Sequence, residues 1–234
     1  MNSATLATNK NWRTPAVVLI CGGLALTIAL GTRHSFGLFL QPMTMDLGWN
    51  RQTFAFAMAL QNLVYGIAQP FTGMIADRFG AARVMVVGTI LYALGLLWMS
   101  SPASGTDFSL SAGVLIGLAL SCSGFSIVFG VVGRAFPPEK RSMALGIAGA
   151  AGSLGQFVML PFGQLLINQI GWHHALMTLA LVVLVIAPLS AAMVEDRSAQ
   201  PSAQSRQSVP EALREAGRHQ VWDFHPPASR YAWR

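Results

Sequence analysis

Residues 73–83 read GMIADRFGAAR, and their reading decides the fold. Asp77, Arg78 and Arg83 stand close together between two long apolar stretches, with Gly73 and Gly80 spaced among them. Charged side chains are costly within hydrocarbon, so a short charged stretch in this setting marks a turn between two membrane-length helices. Working outward, the apolar run before it begins near Gln52 and the run after it reaches about Ser100.

The composition points the same way. Of 234 residues, 53% are hydrophobic and only 10% charged, against about a quarter charged in ordinary soluble chains. Mean hydropathy is +0.50. A spanning helix needs about 17–25 mostly apolar residues, and six stretches read as spans: about 15–40, 52–76, 84–100, 109–133, 142–168 and 172–194. Polar or turn-forming segments separate them, namely QPMTMDLGWNR at 41–51, SPASGTD at 101–107, PPEKR at 137–141 and Gly171-Trp172. The polar start with Lys10 and Arg13 could open a cleavable signal peptide. The following apolar run is too long for that, no small-residue cleavage pattern stands out, and more spans follow. The fold class expected is an all-α membrane protein, with a six-helix bundle at 15–194, an N-terminal segment at 1–14 and a polar tail at 195–234.

Lys10, Arg13, Arg78, Arg83, Arg134, Lys140 and Arg141 fall on one side if the six spans alternate, whereas the opposite loops hold Arg51. Excess Lys and Arg marks the cytoplasmic side. Both termini and the 73–83 turn are therefore expected in the cytoplasm, in a plasma membrane, with the bacterial inner membrane as the setting. The net charge of +6 is accounted for by these loop positions, so nucleic acid is not an expected partner. After Val194 the chain turns polar and rich in Ser and Gln (EDRSAQPSAQSRQS), a composition that favours disorder. Residues 210–219, PEALREAGRH, could form a short amphipathic helix.

Arg33 is the first chemical anomaly. From Pro15, at about 1.5 Å per residue, it lies about 27 Å along the first helix, in the outer half of the membrane. An intramembrane arginine faces a cavity or a partner, or snorkels to the interface. As a cavity residue it would attract a carboxylate by charge and bidentate hydrogen bonding. His34 points elsewhere and reads as a packed or interfacial histidine. In the second span Gln61, Tyr65, Gln69 and Thr72 follow helical spacing as one stripe, with Asn62 beside it. Polar groups in lipid must be satisfied, so the stripe either bonds to neighbouring helices or lines a wet cavity. The fourth span carries Gly113, Gly117, Ser121 and Gly124, and the fifth Gly146, Gly149, Gly152, Ser153 and Gly155. Such spacing lets helices pack closely; Gln156 is the strongly polar side chain of the fifth span, and Pro161 a place for a bend. Cys21 and Cys122 sit within apolar runs and His173-His174 is isolated, so no disulfide, metal or cofactor is expected. No nucleophile, base and orienting group come together, which argues against an enzyme.

The spacing G-x-x-x-D-R-x-G-x-x-R in residues 73–83 resembles the signature loop between helices 2 and 3 of the major facilitator superfamily, whose transporters have twelve helices in two halves. The segments RHSFGLFLQPM (33–43), LGWNR (47–51), PFTGMIADRFG (70–80), GIAGAAGSLGQ and GWHHAL resemble its monocarboxylate and oxalate/formate antiporter branch. The drug-exporter motif R-x-x-Q-G is not present. The resemblance covers about residues 15–194 and extends through EALREAGRH, similar to the family's central loop; a truncated or frameshifted gene would explain the remaining end.

The resemblance implies the N-terminal half of a carrier for a small organic anion, working by alternating access, with a second copy or a C-terminal half as partner. It implies a gating charge network at Gly73, Asp77, Arg78, Gly80 and Arg83. Arg33 matches a region of helix 1 where some members carry a basic residue. The candidate substrate-binding residues are Arg33, Gln61, Asn62, Tyr65, Gln69 and Gln156. The other reading is a non-transporting six-helix membrane protein, a remnant or an interaction module whose glycine faces pair with another chain.

Overall fold

The computed structural model describes residues 14–194. The readings made on residues 1–13 and 195–234, including the short helix at 210–219, lie outside the described residues. Helix α1 runs Pro15–Leu47, capped by Thr14, whose hydroxyl accepts from the Val17 amide, with Pro15 in the first turn where a missing N–H costs nothing. It continues past the expected end at residue 40, through Pro42, and stops at Gly48, which takes a left-handed conformation (φ 64°). Nothing in QPMTMDL favours that conformation, so the helix persists until a glycine supplies it. The expected turn at 41–51 shrinks accordingly, and Asn50 caps helix α2, Arg51–Phe79.

The charged stretch at 73–83 is itself almost entirely helical. Asp77 and Arg78 lie in the last turn of α2, and Arg83 lies in the first turn of α3, Ala81–Met99. Gly80 alone joins the two, at φ 99° and ψ 135°. Side chains rarely tolerate that backbone, and one glycine there does the work of a loop.

Helix α4, Gly105–Ala135, is composite. A π-helical segment, Ser109–Leu115, is followed by regular helix to Ser123, and Gly124 (φ −87°, ψ −168°) breaks the axis before Phe125–Ala135. The stretch Pro138–Met193 runs 56 residues, about 84 Å if it were one straight helix and far longer than a bilayer core of about 30 Å. It reverses at Gly171 (φ 75°, ψ 164°), which divides it into α5 (138–170) and α6 (172–193). Pro138 opens α5, so the expected 137–141 loop is largely a helix start.

Packing shows the reversal. Gly31 abuts Met159, Gly163 abuts Ser35, and Trp172 reaches Asp46, so α1 and α5 run parallel. Met193 then lies against Gly22, back where α1 began. Helices α2 and α4 are likewise parallel, with Gly113 against Leu60, Gly117 against Val64, and Thr72 bonded to the Ser121 carbonyl at 3.0 Å. Among the described residues four stretches, 15–47, 81–99, 105–135 and 138–193, are long and apolar enough to cross a membrane. The last, reversing at Gly171, is long enough for two crossings. Helix α2 is the remaining span; its Gln and Asn residues lower its apolarity.

Gly31, Gly155 and Gly163 serve the close approach of α1 and α5. A Cβ on Gly155 would collide with the Thr27 backbone, and Thr27 donates its hydroxyl to the Ala151 carbonyl at 2.7 Å. Phe36, Phe39, Leu26, Leu30 and Tyr92 fill the core, and Tyr92 donates to the Ala29 carbonyl at 3.1 Å. Outward lie Ile20, Leu63, Ile67, Phe157 and Leu181, an exposed apolar surface suited to acyl chains.

Candidate functional site

Arg33 is half-buried on α1, the one Lys or Arg among the described residues set deep inside a span rather than near a helix end. It donates through Nη2 to Asn62 Oδ1 on α2. Its guanidinium carbon lies 5.1 Å from the centre of the Tyr65 ring, a cation–π contact. Among the described residues no carboxylate pairs with it. Tyr65 lies one turn before Gln69 on α2, and Gln69 Oε1 accepts from the Ser126 hydroxyl at 2.9 Å. The break at Gly124 leaves room for the Tyr65 hydroxyl, since a Cβ there would sit 3.1 Å from it. The sequence pattern thus reaches Arg33, Asn62, Tyr65 and Gln69. It does not reach Ser126, whose signal would have been a lone hydroxyl following a helix-breaking glycine.

Gln61 is not brought to Arg33. It is buried against α4 and donates to the Ala112 carbonyl at 2.7 Å. Thr72, from the same stripe, is also buried against α4. Gln156 is half-buried one turn beyond Gly152, which packs on Leu30 and Phe125. Arg33 is three residues beyond Leu30 on the parallel helix, so Gln156 and Arg33 lie at a similar level. His34 is exposed, its Nδ1 2.7 Å from the Leu30 carbonyl. Asn62 and Ser126 are also exposed on the described bundle, so the cluster opens outward from α1, α2 and α4.

At the end that carries the 73–83 segment, Asp77 pairs with Arg134 of α4 at 3.7 Å. Gly73, Asp77, Ser126, Gly130 and Arg134 line a recess of about 250 Å³ beside it. Arg78 lies over its neighbour Phe79, and Arg83 is exposed. Arg134 is a partner that the motif did not name, although alternation of the spans places it at the same end. Among the described residues, no three His, Cys, Asp or Glu side chains are grouped to hold a metal.

A helical bundle with an apolar exterior and a cation held among polar side chains on one side is the build of a membrane transporter. Residues 6–231 match the Major Facilitator Superfamily, and the chain belongs to that superfamily. The matched range runs further toward the C-terminus than the resemblance read from the sequence. The chain is similar to monocarboxylate transporter 11 of Mus musculus, with 29% identity over 184 residues that cover 77% of this chain and 39% of that protein. It is similar to the Homo sapiens protein of the same name at 27% identity, covering 78% of this chain and 38% of the other. Probable anion transporter 4, chloroplastic, of Arabidopsis thaliana is 30% identical over 63% of this chain and 28% of its own length. The chain spans less than half the length of these relatives.

Proposed function

We propose that this chain forms the N-terminal six-helix half of a secondary transporter for a small organic anion of monocarboxylate size. The carrying observation is Arg33, a cation with no carboxylate partner among the described residues, held by Asn62 and Tyr65 on an open polar side of the bundle. Polar groups at membrane depth cannot face lipid, so such a side meets a wet cavity or another protein surface. A second half or a second copy would complete it, and the two bodies would rock about a site near the midplane. The relatives named as monocarboxylate and anion transporters favour the same class of solute. Asp77 and Arg134 would hold one access state shut at the end with the positive loops, whose charge bias supports a cytoplasmic side.

The non-transporting reading needs glycine faces free to pair with another chain. Gly155 and Gly31 are already occupied within the bundle, which weighs against it. The test is uptake of labelled acetate and oxalate into vesicles containing this chain, alone and beside a C-terminal half from a monocarboxylate transporter. Saturable uptake lost in Arg33→Ala supports the assignment. Uptake unchanged in Arg33→Ala overturns the site, and no uptake in either arrangement overturns the carrier reading.

A further inference from the structure

The bond between Arg33 and Asn62 has a fixed polarity. Asn62 Nδ2 donates to the Met58 carbonyl one turn back on α2, at 2.8 Å, which turns the amide oxygen toward the guanidinium. The oxygen takes one of the five N–H donors of Arg33 and brings no charge. Tyr65 covers one face of the same group, and Gln69, one turn further along α2, accepts from Ser126. A carboxylate in place of that amide would be nearly the same size and would neutralise the arginine.

We propose that Asn62 is the positioning and specificity-determining residue of the anion site. It fixes one edge of Arg33 with a neutral acceptor, so the remaining donors present a planar, bidentate seat to one carboxylate and the full charge is left for the solute. This rests on the reading of Arg33 as the anion-binding cation. Geometry alone would be served by any acceptor at position 62; charge conservation is served only by a neutral one.

The experiment measures binding of labelled acetate to the full chain in lipid nanodiscs, for the wild type and for Arg33→Ala, Asn62→Leu, Asn62→Gln and Asn62→Asp. Size-exclusion elution and thermal melting verify that each variant is folded. Leu and Asp both remove the bond to Met58 and have the same number of side-chain heavy atoms, but only Asp brings a charge, so a loss in Asp beyond that in Leu reports the effect of charge at position 62. Asn62→Leu is expected to weaken binding by about threefold, and Asn62→Asp by at least about tenfold beyond that, because an ion pair then occupies Arg33. Asn62→Gln, which keeps a neutral amide, is expected within about twofold to threefold of wild type. Should the Asp variant fail to fold, the contrast of Leu with Gln carries the test: equal losses overturn the proposal. Equal losses in Leu and Asp, with binding still abolished by Arg33→Ala, overturn the role of Asn62 and leave the anion site intact. Binding unchanged in Arg33→Ala overturns the underlying site, and this inference falls with it.

Discussion

Trp172 donates its indole N–H to Asp46 Oδ2 at 3.0 Å, tying the first turn of α6 to the last turn of α1. His173 Nε2 lies 3.5 Å from the same oxygen, and its Nδ1 lies 2.5 Å from the Ser100 carbonyl at the end of α3. Three helices are therefore joined at the end away from Asp77, beside the reversal at Gly171. Trp172 is buried, and an unmet buried donor costs about 1–3 kcal/mol. Because the Asp46 side chain is 57% exposed and water can replace part of the bond, Asp46→Ala is expected near the lower end, about 1 kcal/mol. Asp46→Asn keeps an acceptor and is expected to lose less. Thermal unfolding in detergent checks this, and an unchanged melting temperature for the alanine variant would count against the tie.

Gly155 is the tightest point between α1 and α5. Gly155→Ala places a methyl against the Thr27 backbone, which cannot swing aside as a side chain can. The expected loss is about 1–3 kcal/mol, the usual cost of overpacking. Gly146, on the same helix, has open space around its Cα, and Gly146→Ala is expected to gain up to about 1 kcal/mol from helix propensity. Opposite signs in a melting assay verify the packing; a harmless Gly155→Ala contradicts it.

The pair Asp77–Arg134 holds little stability. Their side chains are 63% and 44% exposed and 3.7 Å apart, and exposed pairs contribute about 0–1 kcal/mol before salt screening. Asp77→Asn is expected to change the melting temperature little while altering the rate of solute uptake. The reversed pair, Asp77→Arg with Arg134→Asp, is expected to recover part of that rate. A variant that unfolds, or one that folds and transports at the wild-type rate, would remove the gating role.

The fold was legible because its signals are long. A run of apolar residues the width of a bilayer survives local irregularity, and the charges of residues 73–83 could only belong near a helix end. The boundaries were less legible. Asp77 and Arg83 read as a loop because they are charged, yet a single positive-φ glycine lets helix continue through both. No proline announces the break at Gly124. At the site, helical spacing grouped Gln61, Tyr65, Gln69 and Thr72 correctly as neighbours but could not say what each one meets. Gln61 and Thr72 turn into α4, while Tyr65 and Gln69 stand at its edge and reach Arg33 and Ser126. The identity of the facing helix, and its rotation, decides between structure and site, and neither is written in the spacing of one helix.

Gln61 and Asn62 make that distinction measurable, because adjacent residues on a helix point about 100° apart. Gln61 is buried and its amide is committed to the Ala112 carbonyl of α4. Gln61→Leu should cost about 0.6 kcal/mol, the average for hydrogen bonds between membrane helices, and at most about 1.7 kcal/mol. It should leave acetate binding at the wild-type affinity, since the lost bond faces α4 and not Arg33. Asn62 is exposed, and its loss should move binding with little change in melting. The two readouts therefore separate in opposite directions for neighbouring positions. Loss of binding in a folded Gln61→Leu would mean that the cavity reaches behind α2, and the site would have to be redrawn to include α4 at Ala112.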